Sequence, residues 1–254
     1  MTMEESWLFP DLAPKPEAEW HAPPAGDWMF PADNALEIPT LRLDRMAMAM
    51  HAPVACWGSI PRRDTRNVRS WHFYADDYRF EQLWKTPGDV VATGAQVCVE
   101  PNFSVLDEMP WPVGWYNLYR KRWVARWWQD QGIEIVADLF VGAKYRAWNW
   151  VGLPEGWRSF ATRSLAEDPE EAIRLYEEAR SWAKGEEIFY YVYGGGVKQA
   201  AALREARVPC LISDYYRNED MSRYLASAGG APWIDTARGN HAGLIGTNTN
   251  ATER

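Results

Sequence analysis

Cysteine, histidine and positive charge are all scarce in this chain, and each shortage removes a class of function. The three cysteines (Cys56, Cys98 and Cys210) are odd in number, far apart and set in apolar stretches, so no disulfide framework and no C-x-x-C zinc pair is expected. They read as buried thiols of a reducing cytoplasm. The four histidines (His21, His51, His72 and His241) never fall at i, i+4 ligand spacing, and there is no H-E-x-x-H, so no metal site is expected. A G-x-S-x-G elbow, a Walker loop and a G-x-G-x-x-G with a distal acid are absent as well. No cofactor is therefore expected. Without an 18-residue apolar run there is no candidate membrane span, and the opening MTMEESWLFPDL lacks the basic and apolar regions of a signal peptide. With 27 basic against 35 acidic residues the net charge is −8. Such a field disfavours unaided binding to a phosphate backbone.

What the chain does have is tryptophan and proline. Its 16 tryptophans bring large buried area and suitable anchors for an interface. Seven of the 17 prolines lie before residue 41, interleaved with Trp7, Phe9, Trp20, Trp28 and Phe30. Proline at that density forbids regular helix and central strand. Residues 1–40 are therefore expected to form an extended arm, whose aromatics either wrap the chain's own core or bind a partner. An α/β domain is expected over 41–238 and a polar tail over 239–254.

Within the domain, strand and helix signals alternate. Strands are expected at 70–75, 96–100, 133–140, 159–164, 187–193 and 209–213. A helix is expected after Asp76-Asp77, with Asp77 as its N-cap, running through Trp84. A second helix spans 113–131, striped on one side by Trp115, Tyr119, Trp123 and Trp127. A third is announced by Asp168-Pro169-Glu170-Glu171, and a fourth covers 197–206. Repeated βα units imply a mostly parallel sheet, in a partial or distorted (β/α) barrel or, alternatively, an open parallel sheet.

In such folds function collects beyond the carboxyl ends of strands. Those positions hold Asp76, Asp77, Asn102, Asp138, Arg163, the triplet Gly194-Gly195-Gly196, and Asp214. Gathered at one mouth, the carboxylates could move protons or hold magnesium; taken singly they are ordinary caps and turn formers. The glycines could present amides to a phosphate or simply turn the chain. Arg120, Lys121 and Arg122, with aromatics beside them, could touch nucleic acid but read more simply as a solvated helix face, and His72 as a core histidine.

The segment Trp71-His72-Phe73-Tyr74-Ala75-Asp76-Asp77-Tyr78-Arg79-Phe80 has further ordered companions in Pro101-Asn102-Phe103-Ser104, Asp107-Glu108-Met109-Pro110, Asn117-Leu118-Tyr119-Arg120, Gly132–Val136 and Val192-Tyr193-Gly194. Together, over residues 70–195, these resemble an uncharacterised family spread through phages and plasmids. Asn102 stands where that pattern has aspartate. Members that look like this chain include recombination directionality factors of large serine integrases. The resemblance implies a cytoplasmic accessory protein that binds the zinc-containing and coiled-coil region of an integrase, turns integration into excision, and meets DNA only through that partner. The reading left open beside it is an enzyme acting on a phosphorylated small molecule or nucleobase.

Overall fold

The computed structural model describes residues 29–165, 168–213 and 222–225, the last as backbone alone. Among the described residues eight strands run β1 (Val54–Cys56), β2 (Ser70–His72), β3 (Val97–Val99), β4 (Glu134–Asp138), β5 (Ser159–Ser164), β6 (Phe189–Gly194), β7 (Cys210–Ser213) and β8 (Ser222–Leu225). They pair in unbroken chain order, parallel from β1 to β7, with β8 antiparallel at the end. An order that never doubles back places successive crossovers on one face, so the sheet curls instead of becoming doubly wound. The result is a half-barrel. Of the two architectures open to the sequence, the partial barrel is the one present.

Helices α1 (Gly88–Val91), α2 (Trp111–Asp130), α3 (Glu170–Trp182) and α4 (Gly196–Glu205) cover the convex side. Strand alternation divides the core accordingly. Cys98, Ile135, Phe160, Tyr190 and Cys210 point outward into a layer shared with Trp123, Leu175 and Leu203 of the helices. Val97, Val99, Val136, Ala161, Tyr191 and Leu211 point inward, where Ala47 and Met50 join them. The three cysteines are free thiols, and burial raises Cys98 strongly and Cys210 to about 12. No described helix is long and apolar enough to cross a membrane.

The described part of the arm packs on α2. Phe30 lies 5.5 Å from Trp123, and the Arg42 amide donates to Gln129 Oε1 at 2.7 Å. Gln129 Nε2 returns the bond to the Arg42 carbonyl. Further on, Met46 makes a single parallel bridge to Ile135, so this segment occupies the amino-terminal edge of β4. Strand β5 joins β4 only at Ala137↔Phe160 and Asp138↔Ala161.

Two expectations need correction. The helix expected from Asp77 to Trp84 is two 3₁₀ turns, Asp77–Arg79 and Glu81–Trp84. Phe80 between them turns its ring into the core, and the Asp77 carboxylate accepts from Ser104 N and Oγ at 3.0 and 2.9 Å instead of capping a helix. The basic run on α2 is no solvated face, since Arg120, Lys121 and Arg122 are all buried. The capping reading at α3 holds in part: Asp168 Oδ1 accepts from the Glu171 amide at 3.2 Å.

His72 is a core histidine on the concave face, its ring centroid 4.2 Å from that of Tyr193. Burial holds its pKa down at about 3, so the folded state keeps it neutral. The unfolded chain binds this proton near pH 6.5. Stability from this group is thus complete above pH 6.5 and is lost as pH falls towards 3, at no more than about 1.4 kcal/mol per pH unit. Urea unfolding of His72→Gln against wild type should show the variant losing less stability between pH 6.5 and pH 4.5; equal slopes would refute the assignment.

Candidate functional site

Helix α2 is nearly surrounded by protein, which forces a use on its cations. Consecutive helical residues diverge by about 100°, so Arg120, Lys121 and Arg122 leave in three directions. Arg120 pairs with Glu81 of the second 3₁₀ turn and lies 4.1 Å over the Phe103 ring. Lys121 Nζ reaches the end of β4, 3.1 Å from Asp138 Oδ2 and 3.0 Å from the Asp138 carbonyl. Arg122 reaches the end of β3, where it pairs with Glu100 and donates to the Asn149 carbonyl at 2.7 Å. Glu100 Oε2 then accepts from the Asp138 amide at 3.0 Å. Asp138 Oδ1 accepts from Tyr74 Oη at 2.9 Å and from the Phe140 amide at 3.0 Å. Burial, with the Asp138 charge alongside, holds the Tyr74 hydroxyl well above its ordinary pKa.

This network ties the ends of β2, β3 and β4 to α2. Its two carboxylates and two cations cancel, and all four side chains are at most 2% exposed. Each Asp138 oxygen already accepts a bond. A carboxylate so engaged and desolvated is a structural group, because proton exchange with a substrate needs a lone pair that can be reached.

Above the network opens a cleft of about 420 Å³. Its walls are the loops after β3 and β4 (Asn102–Glu108 and Phe140–Arg146), the end of β5 and the first turns of α3. The two loops are bonded together: Gly142 N donates to the Val105 carbonyl at 2.7 Å and Lys144 N to Asp107 Oδ1 at 2.8 Å. A Cβ on Gly142 would sit 2.5 Å from that Asp107 oxygen, so the approach requires glycine.

Of the candidate rim residues, the structure brings Asn102 and Arg163 to this cleft. Asp77 supports it indirectly through Ser104, Asp138 lies buried in the network, and Asp76 is exposed. Asp214 lies outside the described residues. Gly194, Gly195 and Gly196 all have positive φ, at 88°, 78° and 61°. A Cβ on Gly195 would sit 2.5 Å from Gln199 Cβ and 2.7 Å from Ser164 Oγ, so close packing as well as the positive φ demands glycine there. Among the described residues no group of three His, Cys, Asp or Glu side chains is placed to hold a metal.

Beside the cleft lies an aromatic cluster of which sequence periodicity singled out Trp115 alone. Trp111 and Trp115 at the start of α2 sit 5.6 Å apart, Trp115 is 5.4 Å from Trp148, and Lys144 Nζ lies 4.7 Å from the Trp111 ring centre. Trp111, Tyr116 and Trp148 are exposed. Of the arm aromatics, Trp7, Phe9, Trp20 and Trp28 lie outside the described residues, while Phe30 is half-buried against Trp123.

Fold and site thus define a parallel α/β half-barrel with a cleft at its strand ends over a closed ionic network. Residues 30–155, just under half of the chain, match the model of a family described as a domain of unknown function, DUF4417. A 113-residue stretch is 37% identical to the Gene 1 protein of Mycobacterium phage D29, covering 42% of this chain and 40% of that protein. A 111-residue stretch is 36% identical to the Gene 1 protein of Mycobacterium phage L5, covering 42% of this chain and 47% of that protein. The likeness therefore runs to phage-encoded proteins and spans less than half of each curated relative. No solved structure matches.

Replacing Lys121 by methionine would leave the Asp138 charge buried and unpaired, at a cost of about 3–5 kcal/mol. Lys121→Met/Asp138→Asn, which removes the charge yet keeps an acceptor for Tyr74 and Phe140, should recover at least about 1 kcal/mol of that in urea unfolding. A single variant within about 0.5 kcal/mol of wild type would show that the pair does not hold α2 in place.

Proposed function

We propose that this protein is a phage accessory factor of site-specific recombination, a recombination directionality factor that binds a large serine integrase and promotes excision over integration. One observation carries the reading. The strand ends where a (β/α) fold keeps reactive groups are occupied by a neutralised, desolvated network, while large aromatic side chains stand exposed beside them. Exposed indoles on a firm scaffold suit recognition better than turnover. Similarity to mycobacteriophage proteins and the resemblance over residues 70–195 support the same role.

In this proposal the partner is the zinc-containing and coiled-coil region of the integrase, whose apolar or basic ridge lies along Trp111, Tyr116 and Trp148. Trp7, Phe9, Trp20 and Trp28 of the arm are assigned to the same interface, and DNA is brought by the partner. The net charge of −8 favours a basic ridge. The protein works in the cytoplasm of the bacterial host.

The test mixes the protein with its cognate integrase and attachment-site DNA. The wild type should promote excision and suppress integration. Both Trp111→Ala/Trp148→Ala and deletion of residues 1–28 should weaken integrase binding by about tenfold or more, the loss of roughly one anchor residue. Melting temperature should change far less. No effect of the wild type on either reaction overturns the proposal.

A second reading, an enzyme acting on a phosphorylated small molecule or nucleobase, has one observation in its favour. Arg163 lines the cleft, and among the described residues it forms no salt bridge. If it holds a phosphate, a nucleoside monophosphate will raise the melting temperature of the wild type and not of Arg163→Ala. Equal behaviour of the two proteins removes the second reading.

A further inference from the structure

The turn between β1 and β2 reads Pro61-Arg62-Arg63-Asp64-Thr65-Arg66-Asn67-Val68-Arg69, with four arginines and one aspartate in a chain whose overall charge is −8. Residues Arg62–Asn67 form a 3₁₀ helix, in which positions three apart stand on one edge, so Arg63 and Arg66 are aligned. All four arginines are exposed. Arg62, Arg63 and Arg66 line an open groove of about 780 Å³ whose far wall is Asp89, Ala92 and Thr93. It shares no residue with the strand-end cleft.

What sets these cations apart is their clustering: Arg45, Arg79, Arg163 and Arg180 also form no salt bridge among the described residues, but each stands singly, whereas here four arginines crowd one turn beside a single acid. Elsewhere Arg42, Arg120, Arg122, Arg126, Arg146, Arg158 and Arg174 all form salt bridges. In the turn, the one salt bridge among the described residues is Arg63 to its neighbour Asp64, 3.7 Å long and largely in solvent, which screens it to little effect. The acid across the groove, Asp89, is held by Thr86 Oγ1 at 2.8 Å. The backbone that presents the arginines is fixed. Asp64 N donates to the Pro61 carbonyl at 2.9 Å, Thr65 Oγ1 to the Arg62 carbonyl at 2.8 Å and Arg69 N to the Pro53 carbonyl at 3.0 Å, with Val68 buried beneath.

From this arrangement we infer that the Arg62–Arg69 turn is a contact site for the phosphodiester backbone of duplex DNA. A guanidinium fork matches phosphate oxygens in a bidentate way, and an open row of such forks on a firm turn follows a repeating anion better than it encloses a small one. An acidic protein partner would require a central, well-exposed apolar anchor; Trp57 and Ile60, the large apolar side chains lining this groove, are partly buried and packed against the core. The contact carries no base-specific group and is independent of sequence. It goes beyond the integrase reading, in which DNA arrives through the partner. With only a few phosphates engaged on an acidic chain, the site is weak by itself and counts once DNA is held nearby at high effective concentration.

Fluorescence anisotropy with the full-length protein and a labelled mixed-sequence duplex tests this across a salt series. Three to four phosphate contacts predict a slope of about −3 in log affinity against log salt, close to −0.9 for each phosphate neutralised. Arg62→Ala/Arg63→Ala/Arg66→Ala should bind at least about tenfold more weakly at low salt, with a slope between zero and about −0.9, what Arg69 alone could supply. The single variant Arg66→Gln, which leaves the turn's backbone bonds untouched, should reduce the slope by about one, so a misfolded triple variant would not leave the matter open. Arg174→Ala, in a paired cluster on α3, should bind as wild type does. Absence of salt-dependent duplex binding by the wild type, or equal binding by Arg66→Gln and the triple variant, overturns the inference. So does an equal affinity for a polyglutamate peptide of matched charge, which would assign the turn to an acidic protein instead.

Discussion

The seating of α2 on the ends of β3 and β4 depends on burying Lys121 and Arg122 against Asp138 and Glu100. Each ion taken from water loses several kcal/mol of hydration, and the loss is offset only when its partners are placed with little tolerance. Here the placement comes from strand ends: Glu100 follows β3 by one residue, Asp138 closes β4, and the amide of one is bonded to the carboxylate of the other. The helix cannot slide or roll without separating at least one pair. Apolar packing alone would permit such motion, since it has no preferred direction.

The same placement explains why so short a sheet can persist. Strands β1, β2 and β3 are three residues each, so their ladders contribute few hydrogen bonds. Bulk on the convex side makes up the difference. Trp71, Trp123, Trp128 and Trp157 are completely buried, Trp128 stacks on Phe73 at 5.3 Å, and Trp84 meets Trp123 edge-on at 5.2 Å. Much of the unusual tryptophan content is thus structural. The exposed indoles at the start of α2 are the part with material to spare for recognition.

How far the sequence disclosed this depended on whether the signal was local. The strand over 159–164 coincides with β5, and the Asp168-Pro169 start of α3 was legible because capping is chemistry between near neighbours. Strand β1 carried no usable period, being Val-Ala-Cys alone. The tryptophan stripe on α2 is present, but it faces the 81–84 turn and the arm, while Lys121 reaches the sheet. Three adjacent cations look solvated whenever their partners lie 17, 22 and 39 residues away, as they do here. The candidate rim was legible as a set of positions. Which of those positions meet was not, because convergence depends on the curl of the sheet.

The seam between β4 and β5 carries a further meaning. Two register pairs join the strands on either side, and the remaining edge of β4 is taken by Met46. The boundary at residue 155 of the segment that matches DUF4417 falls just before β5, at a seam with two register pairs, as few as join β2 to β3. All four ion-pair partners of the network, Glu100, Lys121, Arg122 and Asp138, lie amino-terminal to that joint. The half-barrel thus has one part that holds all of these buried ion pairs and another that supplies only the far wall of the cleft, so a change in that wall reshapes the cleft and leaves the pairs intact.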